Sequence, residues 1–203
     1  MATGAARPAN WDAVVLAAGA GARFGGGKLM APWREGVLLD GALAAAFAAP
    51  VRSVIVTWGA DPHIPTAAEA FAGRIGETPR LRLVHAKRSG EGMAYSLQAA
   101  IEALPGKSNG AFVFLGDMPR VPLAITAQLA QAVVAGAPAA APQFRGQRGH
   151  PVLFGAALFP ALLALSGDRG AASVLRGLGP ALALIAAPDD GVLFDVDRLS
   201  DLN

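Results

Sequence analysis

Short apolar runs that stop at glycine recur along this chain, and longer Ala/Leu stretches fill the gaps between them. Ala13 to Ala18 runs unbroken to Gly19, Val54 to Trp58 to Gly59, and Ala111 to Leu115 to Gly116-Asp117. Leu81 to Val84 is a weaker copy. Runs of this length without polar alternation fit strands buried on both faces. The intervening stretches read as helices: Asp40 to Ala48, Pro65 to Gly73, Met93 to Leu104 and Leu123 to Ala135. Alternating strand and helix builds βαβ units and a largely parallel sheet. Right-handed crossovers then put helices on both faces, giving a three-layer α/β fold.

The second half changes character. Ala139 to Phe144, a turn over Arg145 to Gly149, and Pro151 to Phe154 read as two short strands. They predict an antiparallel excursion, so the sheet is mixed. Ala156 to Leu165 and Ala171 to Leu178 read as helices, and Leu182 to Ala186 and Val192 to Val196 as late strands. Met1 to Pro8 reads as a frayed lead-in. No linker divides the rest, so residues 1–203 are expected to form one domain, with 1–10 flexible.

Composition removes several function classes. The chain has 203 residues, 53% of them hydrophobic, enough for a sizeable core. It has no cysteine, which excludes a disulfide scaffold, a thiolate zinc site and a cysteine nucleophile. A net charge of +2 is too weak to argue for a nucleic-acid partner. Charge or proline cuts every apolar run before the roughly 20 residues of a membrane span. Arg7 and the apolar stretch from Val14 could pass for a signal peptide. Gly19, Gly21 and the Arg23-Phe24 that follows favour a buried first strand, hence a cytoplasmic protein.

The first strand runs directly into Gly19-Ala20-Gly21-Ala22-Arg23-Phe24-Gly25-Gly26-Gly27-Lys28. Glycines let backbone N–H groups turn toward a polyanion, and Arg23 and Lys28 are spaced to bracket it. Two familiar phosphate loops fail here. A Walker A loop needs Gly at 22 and Ser or Thr at 29, where Ala and Leu stand. A dinucleotide fingerprint fits Gly19 and Gly21 but meets Phe24 at its third glycine.

Asp117 ends another strand, at the edge where open α/β sheets bind ligands. A carboxylate there can hold Mg²⁺, which keeps several waters and also binds substrate phosphate. Gly106-Lys107-Ser108-Asn109-Gly110 matches a nucleophile elbow by letter, but it precedes a strand and reads as a loop. His63, His85 and His150 lack metal-ligand spacing.

Together, Leu16-Ala17-Ala18-Gly19, Arg23-Phe24-Gly25, Lys28 and Gly116-Asp117-Met118-Pro119 resemble the MobA-like nucleotidyltransferases, above all their molybdenum cofactor cytidylyltransferase branch. The resemblance continues through Gly92 to Leu97, Gly149-His150-Pro151-Val152-Leu153-Phe154, Gly167 to Ala171 and Asp195-Val196-Asp197-Arg198-Leu199. It implies a Rossmann-like nucleotidyltransferase fold. It also implies Mg²⁺-dependent transfer of a nucleoside monophosphate from CTP or GTP to the phosphate of molybdopterin. Leu16, Ala17, Ala18, Gly19, Ala20, Gly21 and Ala22 would bind the nucleotide, with Ser96 near ribose or base. Arg23 and Lys28 would stabilise developing charge. Asp117 and Asp195 would hold the metal, Asp195 sharing one strand face with Asp197. His150 and Asp168 match positions on the acceptor side, or serve as a turn contact and a helix cap. Ala18 favours cytosine over guanine by one methyl group. Trp33-Arg34-Glu35-Gly36 departs from the apolar stretch expected after the lysine, and Tyr95 either stacks on a ring or packs.

Three alternatives stay open. The acceptor could be methylerythritol phosphate or a sugar phosphate. A pyridine-nucleotide oxidoreductase is disfavoured by the missing third glycine and by Trp58-Gly59-Ala60 preceding Asp61. A non-catalytic carrier could deliver the cofactor to a molybdoenzyme partner.

Overall fold

The computed structural model describes residues 10–19, 21, 24–167 and 170–202. Arg23, Asp168, Ala20, Ala22 and the Met1 to Pro8 lead-in lie outside them.

The main sheet is built from β1 (Trp11–Ala17), β4 (Val54–Trp58), β5 (Leu81–His85), β6 (Gly110–Leu115), β7 (Ala139–Phe144), β8 (Gln147–Arg148), β9 (Val152–Gly155) and β10 (Leu182–Ala186). Its order is β10-β7-β9-β6-β1-β4-β5, with β8 paired to β7. β1 lies parallel to both β4 and β6, β4 to β5, and β10 to β7. β9 is antiparallel to β6 and β7, which bears out the expected excursion. A separate two-stranded hairpin joins β2 (Pro32–Trp33) to β3 (Gly36–Val37).

Strand alternation sorts the core into two layers. Ala13, Val15, Val54, Val56, Phe112 and Phe114 face one side. There they meet α1 (Leu38–Ala48), α2 (His63–Arg74) and α4 (Ile125–Val134). Val14, Ile55, Ala111 and Val113 face the other. They pack on α3 (Met93–Glu102), α5 (Phe159–Leu163) and α6 (Ala172–Leu178). The three-layer expectation therefore holds. Fully burying each of the Val, Ile and Phe side chains among these contributes about 1.5–3 kcal/mol.

Two expectations change. β1 starts at Trp11, ahead of the apolar run, because Asp12 is wholly buried and neutralised there. Arg52 donates to its carboxylate from Nε and Nη2 at 3.1 Å each, and Ser53 Oγ donates at 2.7 Å. Val192 to Val196 is not a strand. A 3-10 turn at Asp190–Val192 opens it, and the rest makes no ladder. The Val192 carbonyl is taken instead by the His150 N–H at 2.9 Å.

Candidate active site

β1, β4, β5 and β6 are parallel, so all four end at one edge of the sheet. β9 runs the other way, so His150 enters at that same edge, next to Val113. The edge is pulled tight. Gly116 N donates to Leu16 O at 3.0 Å. A Cβ on Gly59 would sit 2.5 Å from Ser89 Oγ and 2.7 Å from Ala18 O, so no larger residue fits there.

A cleft of about 360 Å³ opens over this edge. Ala18, Gly19, Gly21, Lys28, Ser96 and Asp117 line it, together with Leu16 and Leu115. Its size suits a small-molecule ligand. Ala17 is buried beneath it. Ser96 lies in the second turn's approach of α3, is almost fully buried, and does not cap the helix, whose N-cap is Gly92. The cleft thus gathers the described part of the predicted nucleotide loop, Ser96, Lys28 and Asp117.

Lys28 begins a 3-10 turn after Gly25, Gly26 and Gly27, whose φ values of 84°, 94° and 63° are left-handed and suit glycine. Its Nζ lies 2.7 Å from Asp117 Oδ2 and 3.4 Å from Asp197 Oδ1. Of the two C-terminal aspartates, Asp197 reaches the lysine. The chain between them is fixed at Val196, which is fully buried and donates its N–H to Asp117 O at 3.1 Å. Asp201 Oδ2 accepts from the N–H groups of Asp197 and Arg198 at 2.9 and 2.8 Å.

Partial desolvation raises the Asp195 carboxyl above its ordinary value. The charges of Asp197 and Asp117 add to this, and a backbone hydrogen bond and Lys28 oppose it. Asp117 and Asp197 are held together by Lys28, and their charges act on Asp195 beside them. Hard oxygen donors under such crowding suit Mg²⁺ or Mn²⁺, which take few protein ligands and complete their shells with water and phosphate. No group of three His, Asp or Glu among the described residues forms a ready-made metal cage.

Beside the cleft lies a chamber of about 130 Å³ that shares Leu16, Met93 and Leu115 with it. Arg148, His150 and Phe154 line its other side. His150 Nδ1 is buried without a hydrogen-bond partner. Burial holds the imidazole below its ordinary pKa, and Arg148 adds to this, while the Val113 backbone and Asp117 oppose it. Tyr95 faces away from the cleft, under the Arg88 guanidinium at 3.9 Å.

Gly92 and Met93 of the Gly92 to Leu97 stretch also line the cleft, and so do Ser89 and Gly90, which the sequence did not single out. Their signal was the glycine-flanked Ser89-Gly90-Glu91-Gly92 between β5 and α3. Gly106 to Asn109 is a loop at the opposite edge that leads into β6, and Ser108 Oγ donates to Gly110 O at 3.0 Å. No helix among the described residues is long and apolar enough to cross a membrane.

Known proteins resemble this chain in sequence and in fold. The chain is 29% identical over 144 residues to the molybdenum cofactor cytidylyltransferase of Escherichia coli K12, covering 70% of this chain and 68% of that one. It is 28% identical over 197 residues to the purine catabolism protein PucB of Bacillus subtilis 168, covering 91% and 90%. The crystal structure of Rv0371c from Mycobacterium tuberculosis H37Rv superposes with a TM-score of 0.76 at 26% identity, over 95% of each chain. Rv0371c has also been solved in complex with manganese; that structure matches with a TM-score of 0.67 at 24% identity, over 88% of each chain. Residues 13–183 match the model of the MobA-like NTP transferase domain. A glycine-rich loop, a lysine and an aspartate converging on one sheet edge thus belong to a nucleotidyltransferase, and this chain is a member of the MobA-like NTP transferase family.

Proposed function

We propose that the chain transfers CMP from CTP to the terminal phosphate of molybdopterin carrying Mo, as one catalytic domain working in the cytoplasm. The observation that carries this reading is the Lys28–Asp117 pair at the mouth of the glycine-rich cleft. The likeness to the Escherichia coli cytidylyltransferase supports the choice of nucleotide and acceptor.

An acceptor phosphate oxygen attacks the α-phosphorus, forming a new P–O bond. The bond from the α-phosphorus to the bridging oxygen breaks, and pyrophosphate leaves with its electron pair. A phosphate acceptor is already ionised at neutral pH, so no general base is needed. Catalysis then rests on positioning and fixed positive charge. The Ala18 to Ala22 backbone would hold the nucleotide phosphates, and Ser96 the ribose or base. Lys28, with Arg23 on the same loop, would stabilise charge growing on the phosphoryl oxygens. Asp117, with Asp195 or Asp197, would hold Mg²⁺, which when bound supplies Lewis-acid stabilisation of the phosphate oxygens. His150 and Asp168 would meet the acceptor, and His150 Nδ1 is an unsatisfied polar atom available to it. The product would pass to a molybdoenzyme partner.

The test is pyrophosphate release with Mg²⁺ and molybdenum-loaded molybdopterin, comparing CTP with GTP and using Asp117→Asn as control. Release with CTP, lost in the variant, is the expected result. Release with GTP alone would overturn the reading of Ala18. No release from folded protein with either nucleotide would remove molybdopterin as acceptor.

A further inference from the structure

The Trp33-Arg34-Glu35-Gly36 departure forms the β2–β3 hairpin, and none of its residues lines the cleft. Its Trp33 ring instead faces Phe194, with centroids 6.2 Å apart and planes at 38°. The Arg120 guanidinium lies 4.6 Å from the Phe194 centroid, and its Nη2 donates to Asp190 Oδ1 at 3.2 Å. Phe194 is therefore held by two separate loops. One follows Lys28 in sequence, and the other follows Asp117.

What comes next on the chain gives this contact a consequence. Asp195, Val196 and Asp197 follow Phe194 immediately. Val196 is locked under Asp117 by its buried side chain and its 3.1 Å hydrogen bond. Asp197 ends 3.4 Å from Lys28. This strap has no sheet ladder to hold it, and it carries two negative charges toward a third on Asp117. Like charges push it outward, so its course depends on anchors at either side.

We propose that Trp33 and Arg120 clamp Phe194 so that Asp195 and Asp197 are delivered to Lys28 and Asp117, which makes Trp33, Arg120 and Phe194 positioning residues for a divalent cation. The proposal rests on the cation reading given above for Asp117. Residues that orient metal ligands without touching the metal typically change affinity by about 10- to 100-fold when removed.

The test is Mn²⁺ titration of the full chain followed by electron paramagnetic resonance, with no nucleotide present. Phe194→Ala and Trp33→Leu should each weaken Mn²⁺ binding about tenfold. Phe194→Tyr keeps the ring and should restore binding close to the original. Circular dichroism establishes that each variant is folded, and Trp33→Leu carries the test if Phe194→Ala is not. A packing role alone would lower thermal stability and leave the Mn²⁺ affinity of folded protein unchanged. Unchanged affinity in folded Phe194→Ala or Trp33→Leu, with binding lost in Asp117→Asn, overturns the clamp and leaves the cation reading standing. Binding retained in Asp117→Asn overturns both.

Discussion

Lys28 Nζ sits 2.7 Å from Asp117 Oδ2 and 3.4 Å from Asp197 Oδ1, and only 12% of the lysine side chain is exposed. The cation comes from the loop after β1, one carboxylate from the end of β6, and the other from the C-terminal strap. An incoming triphosphate would meet a charge already fixed in place, which is the arrangement that stabilises a transition state without reorganisation. Lys28→Ala should therefore lower kcat about 10²- to 10³-fold in steady-state pyrophosphate release. Thermal melts would show that the variant is folded. A kcat equal to wild type would remove Lys28 from the chemistry.

Asp195 has the opposite sign from a stabilising carboxylate. Its folded pKa is raised, so above that value the carboxylate, ionised in both states, is less favourable in the native state than in the solvated unfolded chain. The cost is fully present at neutral pH and is relieved as pH falls through the raised value. Asp195→Asn should raise the melting temperature at pH 7, and the gain should shrink on acidification toward about pH 4. Because Asp195 is exposed, the gain will be small. A lower melting temperature at pH 7 would contradict the crowding of Asp195 with Asp117 and Asp197.

The His150 imidazole is shifted down by burial, so the protein should lose stability in mild acid. Between the folded value and the ordinary value of 6.5, the unfolded chain binds more protons than the native one. The neutral imidazole's contribution is therefore complete above 6.5 and is lost as pH falls toward the folded value. His150→Gln has no such proton to bind. Urea midpoints of wild type and variant, measured from about pH 7.5 down to about pH 5, should converge as pH falls. A constant gap between the two would show that the imidazole titrates normally in the fold.

The sequence pattern made the parallel half of the sheet legible for a physical reason. Strands covered on both faces must be continuously apolar, and Ala13 to Ala17, Val54 to Val56 and Ala111 to Phe114 are. Asp12 broke that rule because its partner Arg52 lies 40 residues away, and no local pattern pairs them. Val192 to Val196 read as a late strand. Its buried valines instead lock a strap, with Val192 O taken by His150 N and Val196 N bound to Asp117 O. Lys28 was readable because it closes the glycine-rich stretch that follows β1, and Asp117 because it follows Gly116 at the end of β6. Ser89 and Gly90 were not, because β5 is an edge strand with a weak apolar signal, which leaves the loop after it unmarked as a strand end. The choice between Asp195 and Asp197 depended on the strap's path, which only the fold supplies.

Asp12 and Arg52 lie at the sheet edge away from the cleft, so they separate stability from activity. Asp12 is wholly buried, while a third of the Arg52 side chain is exposed. Arg52 also donates from Nη2 to Pro105 O at 3.0 Å, tying the start of β4 to the loop before β6. Arg52→Met would leave the Asp12 carboxylate buried with only Ser53 Oγ on it. Orphaning a buried charge typically costs about 3–5 kcal/mol, and the partial exposure of Arg52 places this case near about 3 kcal/mol. Denaturant unfolding should show that loss, whereas kcat and KM of the folded variant should stay at wild-type values. A variant as stable as wild type would mean that the Arg52–Asp12 pair contributes no net stability.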